Sequence, residues 1–277
     1  MAAEVHVALL TPASADGQVD EGALGAHLEW LASTGVDGLL VAGTTGEGPL
    51  LEDREVECAV ARATEAAAGR MQVVVQVGRP ATHATVALAR VAATAGATAV
   101  AVVVPYYFAY DDDQLLRHFA AVTAAVAPLP VVAYSIPART QNDVSPALLR
   151  RLAGEGVAGI KDSTKSLERH LEYLDVAREH ALRVYMGSDG LALEALRVGA
   201  TGLMSAIANV MPEKMLALRD AVADANWPLA EAIQDELTAF RVQAARQRPL
   251  VWLKADLSRR LHEMGAYYSA DLRLPLG

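Results

Sequence analysis

The chain has 277 residues, 53% of them hydrophobic, enough to bury a sizeable core in one large barrel or in two smaller domains. A formal charge of -9 argues against a general nucleic-acid binder, whose surface needs a basic stripe to match phosphates. One cysteine, Cys58, excludes an intrachain disulfide; residues 1–10 show no basic-then-apolar leader, and no apolar run is long enough to span a bilayer, so a cytoplasmic chain with neither membrane nor nucleic-acid partners is expected.

Short apolar or β-branched runs recur at 5–10, 38–41, 72–77, 99–104, 131–135, 158–161, 183–186 and 202–205. Their separation of roughly 20 to 35 residues is that of a strand plus a crossover helix, which predicts a closed (β/α)8 TIM barrel of the α/β class. Between them, 21–33 repeats apolar positions at helical spacing, and 111–126 opens on three aspartates, where a helix N-terminus favours negative charge. Cys58 falls in such a stretch and reads as a structural thiol. Gly35, Gly96 and Gly199 sit just after helical stretches, where a left-handed cap is useful. From Pro212 onward only helical periodicity remains, at 214–225, 228–246 and 250–264. A catalytic barrel over 1–211 and a C-terminal helical region over 212–277, packed on it, are therefore expected.

In a parallel barrel the chemistry collects on the loops that follow the strands. Here those loops carry Gly43-Thr44-Thr45-Gly46-Glu47, Pro105-Tyr106-Tyr107, a segment from Tyr134 through Arg139 to Thr140, Lys161-Asp162-Ser163, Gly187-Ser188-Asp189 and Met204-Ser205. Lys161 is the sharpest signal. It alone of four lysines ends an apolar strand, whereas Lys165, Lys214 and Lys254 lie in stretches that read as exposed or amphipathic helix. An amine in a partly desolvated barrel mouth has its charged form disfavoured and becomes a nucleophile toward a ketone. A lysine held in an ion pair with Asp162 fits the same position, and position alone does not separate the two readings.

Hydroxyl groups on adjoining loops favour the first reading, because Schiff-base formation needs protons moved to and from a carbinolamine oxygen. Tyr134 is the best candidate shuttle. Tyr106 and Tyr107 are adjacent, so in an extended backbone only one of them faces the site. The small residues of 43–46 offer backbone N–H groups as a nest for a carboxylate, and Arg139 offers a bidentate clamp for a second one. The seven histidines show no metal-ligand spacing, so a metal-dependent aldolase is not expected.

Taken in order, Gly-Thr-Thr-Gly-Glu at 43–47, Pro-Tyr-Tyr at 105–107, Tyr-x-x-Pro at 134–137, Gly-Ile-Lys-Asp-Ser at 159–163 and Gly-Ser-Asp at 187–189 resemble the dihydrodipicolinate synthase and N-acetylneuraminate lyase family of class I pyruvate-dependent aldolases. The resemblance covers essentially the whole chain. It implies that Lys161 forms a Schiff base with pyruvate and that Tyr134 exchanges protons with the bound carbonyl, aided by Thr44 and by Tyr107 from a neighbouring subunit. It implies that Thr45 and the backbone around Met204 hold the pyruvyl group, with Gly187 a further substrate-binding position. It also implies a homotetramer or dimer and no cofactor. Arg139 matches the arginine that synthases use for the carboxylate of aspartate semialdehyde. Ser135 in place of asparagine, Gln141 after Arg-Thr, and Phe108 depart from the synthase pattern; Gly48-Pro49, Phe108 and 159–163 resemble 2-keto-3-deoxy sugar-acid aldolases of the same family, and Ser135 resembles its 4-hydroxy-2-oxoglutarate aldolases. A reading of another class, a non-catalytic barrel that binds an oxo acid, stays open because fold does not fix function.

Overall fold

The computed structural model describes residues 2–14 and 16–276; Met1 and Gly277, which bound the two expected domains, lie outside the described residues. Eight parallel strands close in sequence order into one barrel. They are β1 (Glu4–Ala8), β2 (Gly38–Val41), β3 (Gln72–Gln76), β4 (Ala99–Val103), β5 (Val131–Ser135), β6 (Val157–Asp162), β7 (Arg183–Met186) and β8 (Gly202–Ser205). All eight coincide with the expected runs to within two residues at either end. The helices between them are α1 (Glu21–Thr34), α2 (Asp53–Ala67), α3 (Thr82–Thr94), α4 (Asp112–Val126), α5 (Pro137–Thr140), α6 (Pro146–Gly154), α7 (Leu167–His180) and α8 (Ala192–Arg197). After the barrel come α9 (Pro212–Ala223), α10 (Trp227–Arg246) and α11 (Pro249–Glu263). Among the described residues no helix is long and apolar enough to cross a membrane.

Helix boundaries follow local chemistry. Asp111 stands outside α4 as its cap, accepting from the Gln114 N–H at 2.8 Å while the Gln114 side chain accepts from the Asp111 N–H. The three aspartates thus divide into one cap and two first-turn charges. Gly35, Gly96 and Gly199 all take left-handed backbone, with φ of 89°, 98° and 94°.

Successive strand residues point alternately into the barrel and out toward the helices. The outward set, together with the apolar faces of the helices, forms the main core. The inward set includes a small apolar layer of Leu40, Val74, Ala99, Ala101, Tyr185 and Met204. Below it, at the N-terminal ends of the strands, Glu4 accepts from Tyr185 at 3.1 Å and from Gln72 at 3.3 Å, and pairs with His6 at 3.1 Å and with Arg183. Burial opposes ionisation of the Glu4 carboxyl, but His6 and Arg183 outweigh it and bring its pKa down to about 2. Glycine makes room for this plug: a Cβ on Gly38 would lie 2.8 Å from the His6 ring.

On the outer layer, His27 of α1 is fully buried between Trp30 and Tyr268, at ring distances of 6.0 and 5.8 Å. Desolvation drives its pKa down to about 3, and burial drives that of His118 down to about 4. Both rings therefore stay neutral in the folded chain under conditions where the unfolded chain binds protons. Their contribution to stability is complete above about pH 6.5 and is lost as the pH falls toward the folded values. Urea unfolding between pH 6 and pH 4.5 should show stability falling by about 1.4 kcal/mol per pH unit for each histidine, and His27→Leu should remove one such increment. A stability curve that is flat over this range, or the same slope in His27→Leu, contradicts this account of His27.

Candidate active site

The register of β5 with β6 places Tyr134 beside Lys161 and Ser135 beside Asp162. Alternation then sends the first pair into the barrel and the second pair out. Lys161 is 4% exposed, and its amine nitrogen lies 4.1 Å from the centroid of the Tyr134 ring. The Tyr134 hydroxyl lies 3.2 Å from Thr44 Oγ1. Burial raises the phenol's pKa, but Lys161 together with the hydroxyls of Thr44 and Ser163 more than reverses this, so the net shift is downward. An amine next to a buried phenol that gives up its proton more readily than usual, itself linked to a second hydroxyl, is an arrangement able to relay protons.

Asp162 does not pair with Lys161. Its carboxylate accepts from the Thr164 N–H at 2.9 Å and from the Thr164 hydroxyl at 2.6 Å, and it meets His170 Nδ1 of α7 at 3.0 Å. Among the described residues no carboxylate oxygen lies within 4.0 Å of the Lys161 nitrogen. Ser135 likewise faces the helices, donating to Asp143 at 2.9 Å, and Asp143 pairs with Arg169 at 2.5 Å. The substitution at Ser135 therefore alters the outer layer and leaves the mouth untouched.

Gly187 packs directly against the lysine. A Cβ there would lie 2.3 Å from Ser163 Oγ and 2.9 Å from Lys161 Cε, so only glycine allows the lysine its extended path. Met204 is buried in the inner apolar layer beneath. A cavity of about 340 Å³ is lined by Thr44, Tyr134 and Arg139 of the expected set, together with Gln76, Tyr106 and Thr140; Lys161, Gly187 and Met204 do not line it, and Lys161 adjoins it through the Tyr134 ring, 4.1 Å from its amine. Thr45 is half-buried beside Thr44 and does not line this cavity. Tyr107, with φ of 84°, is 77% exposed and points away from its own chain's cavity, so of the two tyrosines it is Tyr106 that lines it. A larger hollow of 620 Å³ lies between α3 and α4, at Thr82, Tyr110, Arg117 and His118, and is lined by none of Thr44, Tyr134 and Arg139.

The loop at 43–48 folds back on itself: Glu47 N–H donates to Thr44 O and Gly48 N–H to Gly43 O. Glu47 has left-handed backbone at φ 57° and is buried. Its carboxylate meets Lys254 Nζ at 2.5 Å and accepts from the Arg273 N–H at 2.8 Å, while the Arg273 guanidinium pairs with buried Glu55 at 2.8 Å. Lys254 is therefore no surface lysine of an amphipathic helix; it is fully buried and ties α11 to this loop. Sequence reasoning missed it because helical periodicity marks a face without saying what the face meets. It also missed Leu250, Pro275 and Leu276, which complete the cavity wall from the far end of the chain.

The family model of the dihydrodipicolinate synthetase family matches residues 1–277. A 4-hydroxy-tetrahydrodipicolinate synthase of Acidithiobacillus ferrooxidans is 35% identical over 274 residues, 98% of this chain and 91% of that one. Among solved structures, YagE, a prophage protein of Escherichia coli K12 belonging to the dihydrodipicolinic acid synthase family and crystallised with pyruvate, superposes with a TM-score of 0.90 at 28% identity, covering 99% of this chain and 92% of that one. KD(P)GA from T. tenax gives a TM-score of 0.84 at 30% identity over 99% of this chain and 92% of that one.

Breaking a buried ion pair by removing one partner leaves an uncompensated charge and costs about 3–5 kcal/mol. Lys254→Ala should therefore lower the unfolding free energy by about that amount in urea titrations. A loss no larger than that of an exposed pair such as Arg259 with Glu263 would show that Glu47 does not depend on Lys254.

Proposed function

Because this chain belongs to the dihydrodipicolinate synthetase family, we propose that Lys161 is the nucleophile of a class I carbon–carbon lyase acting on pyruvate or a related 2-oxo acid. The observation that carries this reading is the buried Lys161 amine, with no carboxylate oxygen within 4.0 Å among the described residues, 4.1 Å from a tyrosine ring whose hydroxyl meets Thr44. The amine adds to the C2 carbonyl. Tyr134 delivers a proton to the resulting oxygen, water leaves, and an iminium joins Lys161 to the oxo acid. The Tyr134 phenolate takes a proton from C3 to give an enamine, which attacks the acceptor aldehyde as Tyr134 returns that proton to the aldehyde oxygen; hydrolysis of the new iminium returns the amine. Thr44 relays the proton from Tyr134 toward the mouth. Thr45, Gly187 and the backbone around Met204 are the groups for the pyruvyl end, in a family of which the YagE relative was crystallised with pyruvate. No step calls for a cofactor.

Arg139 lines the cavity above Tyr134 and is the group for an acceptor carboxylate, which favours a synthase acting on aspartate semialdehyde, as the name of the Acidithiobacillus relative suggests. The KD(P)GA neighbour from T. tenax favours a second reading, a sugar-acid aldolase. Tyr107 and Phe108, 77% and 62% exposed and in edge contact at 5.0 Å, form an apolar projection suited to a second copy. This supports a homo-oligomer, dimer or tetramer, in which Tyr107 completes a neighbour's site. The sparse cysteine content and the metabolic relatives support a cytoplasmic location.

Borohydride reduction in the presence of pyruvate tests the mechanism: wild-type protein should gain one stable adduct by mass spectrometry, and Lys161→Ala none. Equal labelling of both proteins, or of neither, sinks the Schiff base; an adduct without turnover on any aldehyde favours the non-catalytic barrel. Arg139→Ala should raise the KM for the acceptor by roughly ten- to a hundredfold, with the KM for pyruvate little changed, because a carboxylate clamp contributes binding before chemistry. An unaltered acceptor KM removes Arg139 from the site.

A further inference from the structure

We propose that Leu276, carried with Pro275 on the segment after α11, is a specificity-determining residue that makes one wall of the acceptor pocket apolar and selects short, anionic aldehydes over polyhydroxylated ones. The proposal rests on the Schiff-base reading above and deepens it.

Two observations carry it. The first is that the segment is fixed in place. Arg273 is held through its N–H by Glu47 and through its guanidinium by Glu55. Lys254 Nζ donates to Asp271 O at 2.8 Å, Leu276 N–H donates to Arg273 O at 2.8 Å, and Arg248 donates to Leu276 O. These anchors place Pro275 and Leu276 beside Leu250, Pro49 and Leu50, so one side of the cavity is built almost wholly of carbon.

The second is that the polar side has few groups to spare. The Gln76 amide oxygen already accepts from Gly78 N–H at 2.5 Å and from Val103 N–H at 3.2 Å, and its nitrogen donates to Gly78 O at 3.4 Å. Thr140 donates its hydroxyl to Asn142 O at 2.7 Å. Glu47 is occupied by the latch; Tyr134 and Thr44 share one hydrogen bond, and the capacity left to that pair serves the carbinolamine oxygen. Arg139 and Tyr106 remain. An acceptor with one carboxylate finds its partner there, whereas each additional hydroxyl facing Leu276 would lose its water and gain nothing.

Placing a polar group on the wall should reverse this preference. Purified wild-type, Leu276→Asn, Leu276→Met and Leu274→Ser proteins would be assayed with pyruvate against aspartate semialdehyde and against glyceraldehyde, with borohydride trapping of pyruvate as the control. Leu274 is 83% exposed and lines no part of the cavity. The expected result is a wild-type preference for aspartate semialdehyde. In Leu276→Asn, the ratio of kcat/KM values should shift roughly five- to tenfold toward glyceraldehyde, with trapping and pyruvate KM unchanged. Leu276→Met and Leu274→Ser should keep the wild-type ratio. An unmoved ratio in Leu276→Asn with trapping intact overturns the wall alone, as does a wild-type preference for glyceraldehyde. A wild-type protein that is not trapped overturns the Schiff-base reading and this inference with it.

Discussion

Everything at the mouth of this barrel depends on the two-residue repeat of a strand that is buried on both faces. In β6 that repeat turns Lys161 inward and Asp162 outward, and in β5 it turns Tyr134 inward and Ser135 outward. A carboxylate adjacent in sequence to a buried lysine would ordinarily be its counter-ion. The pleat forbids that here, and His170 and Thr164 occupy Asp162 on the helix side, so the amine shares the interior with hydroxyl groups instead. The same constraint explains Gly187. Its inward position lies against the Lys161 side chain, and a single methyl group there would collide with Ser163 and the lysine stem.

A second constraint acts across the chain. Glu47 stands at the end of the loop that supplies Thr44, and both its carboxylate oxygens are engaged by the C-terminal region. A charge buried this deeply is tolerable only when paired, so the loop and the segment that follows α11 hold one another in place. The barrel strands thus build the end of the site where the amine lies, and the last stretch of chain builds the opposite end.

The fold was legible because a parallel barrel imposes period, length and order together. Eight apolar runs at crossover spacing admit few other solutions, and β2, β5, β7 and β8 begin and end where the sequence says. Lys161, Tyr134, Thr44 and Arg139 were legible because each lies on a loop or strand end bearing polar groups at the C-terminal face. Leu250, Pro275, Leu276 and Gln76 were not legible. The first three are ordinary residues of a helical tail, and nothing in their local pattern says that the tail returns to the mouth. The signal that existed was Glu47, a carboxylate flanked by glycines in a loop at the barrel mouth, but nothing in the sequence separates Lys254 from Lys214, which also lies on a helix beside buried apolar residues.

Ser135 shows the opposite failure, in which a motif position looks more consequential than it is. A residue adjoining a site tyrosine invites a role in substrate choice, yet the strand puts its side chain on Asp143, and Asp143 on Arg169 of α7. Replacement of an amide by a hydroxyl at this position changes how β5 is pinned to the helical layer. The path from Ser135 to the site runs only through the backbone of β5, whose pairing with β6 keeps Tyr134 opposite Lys161. Differences in acceptor preference within this fold are therefore better sought among residues whose side chains enter the cavity, however far apart in sequence, than among the neighbours of its motif residues.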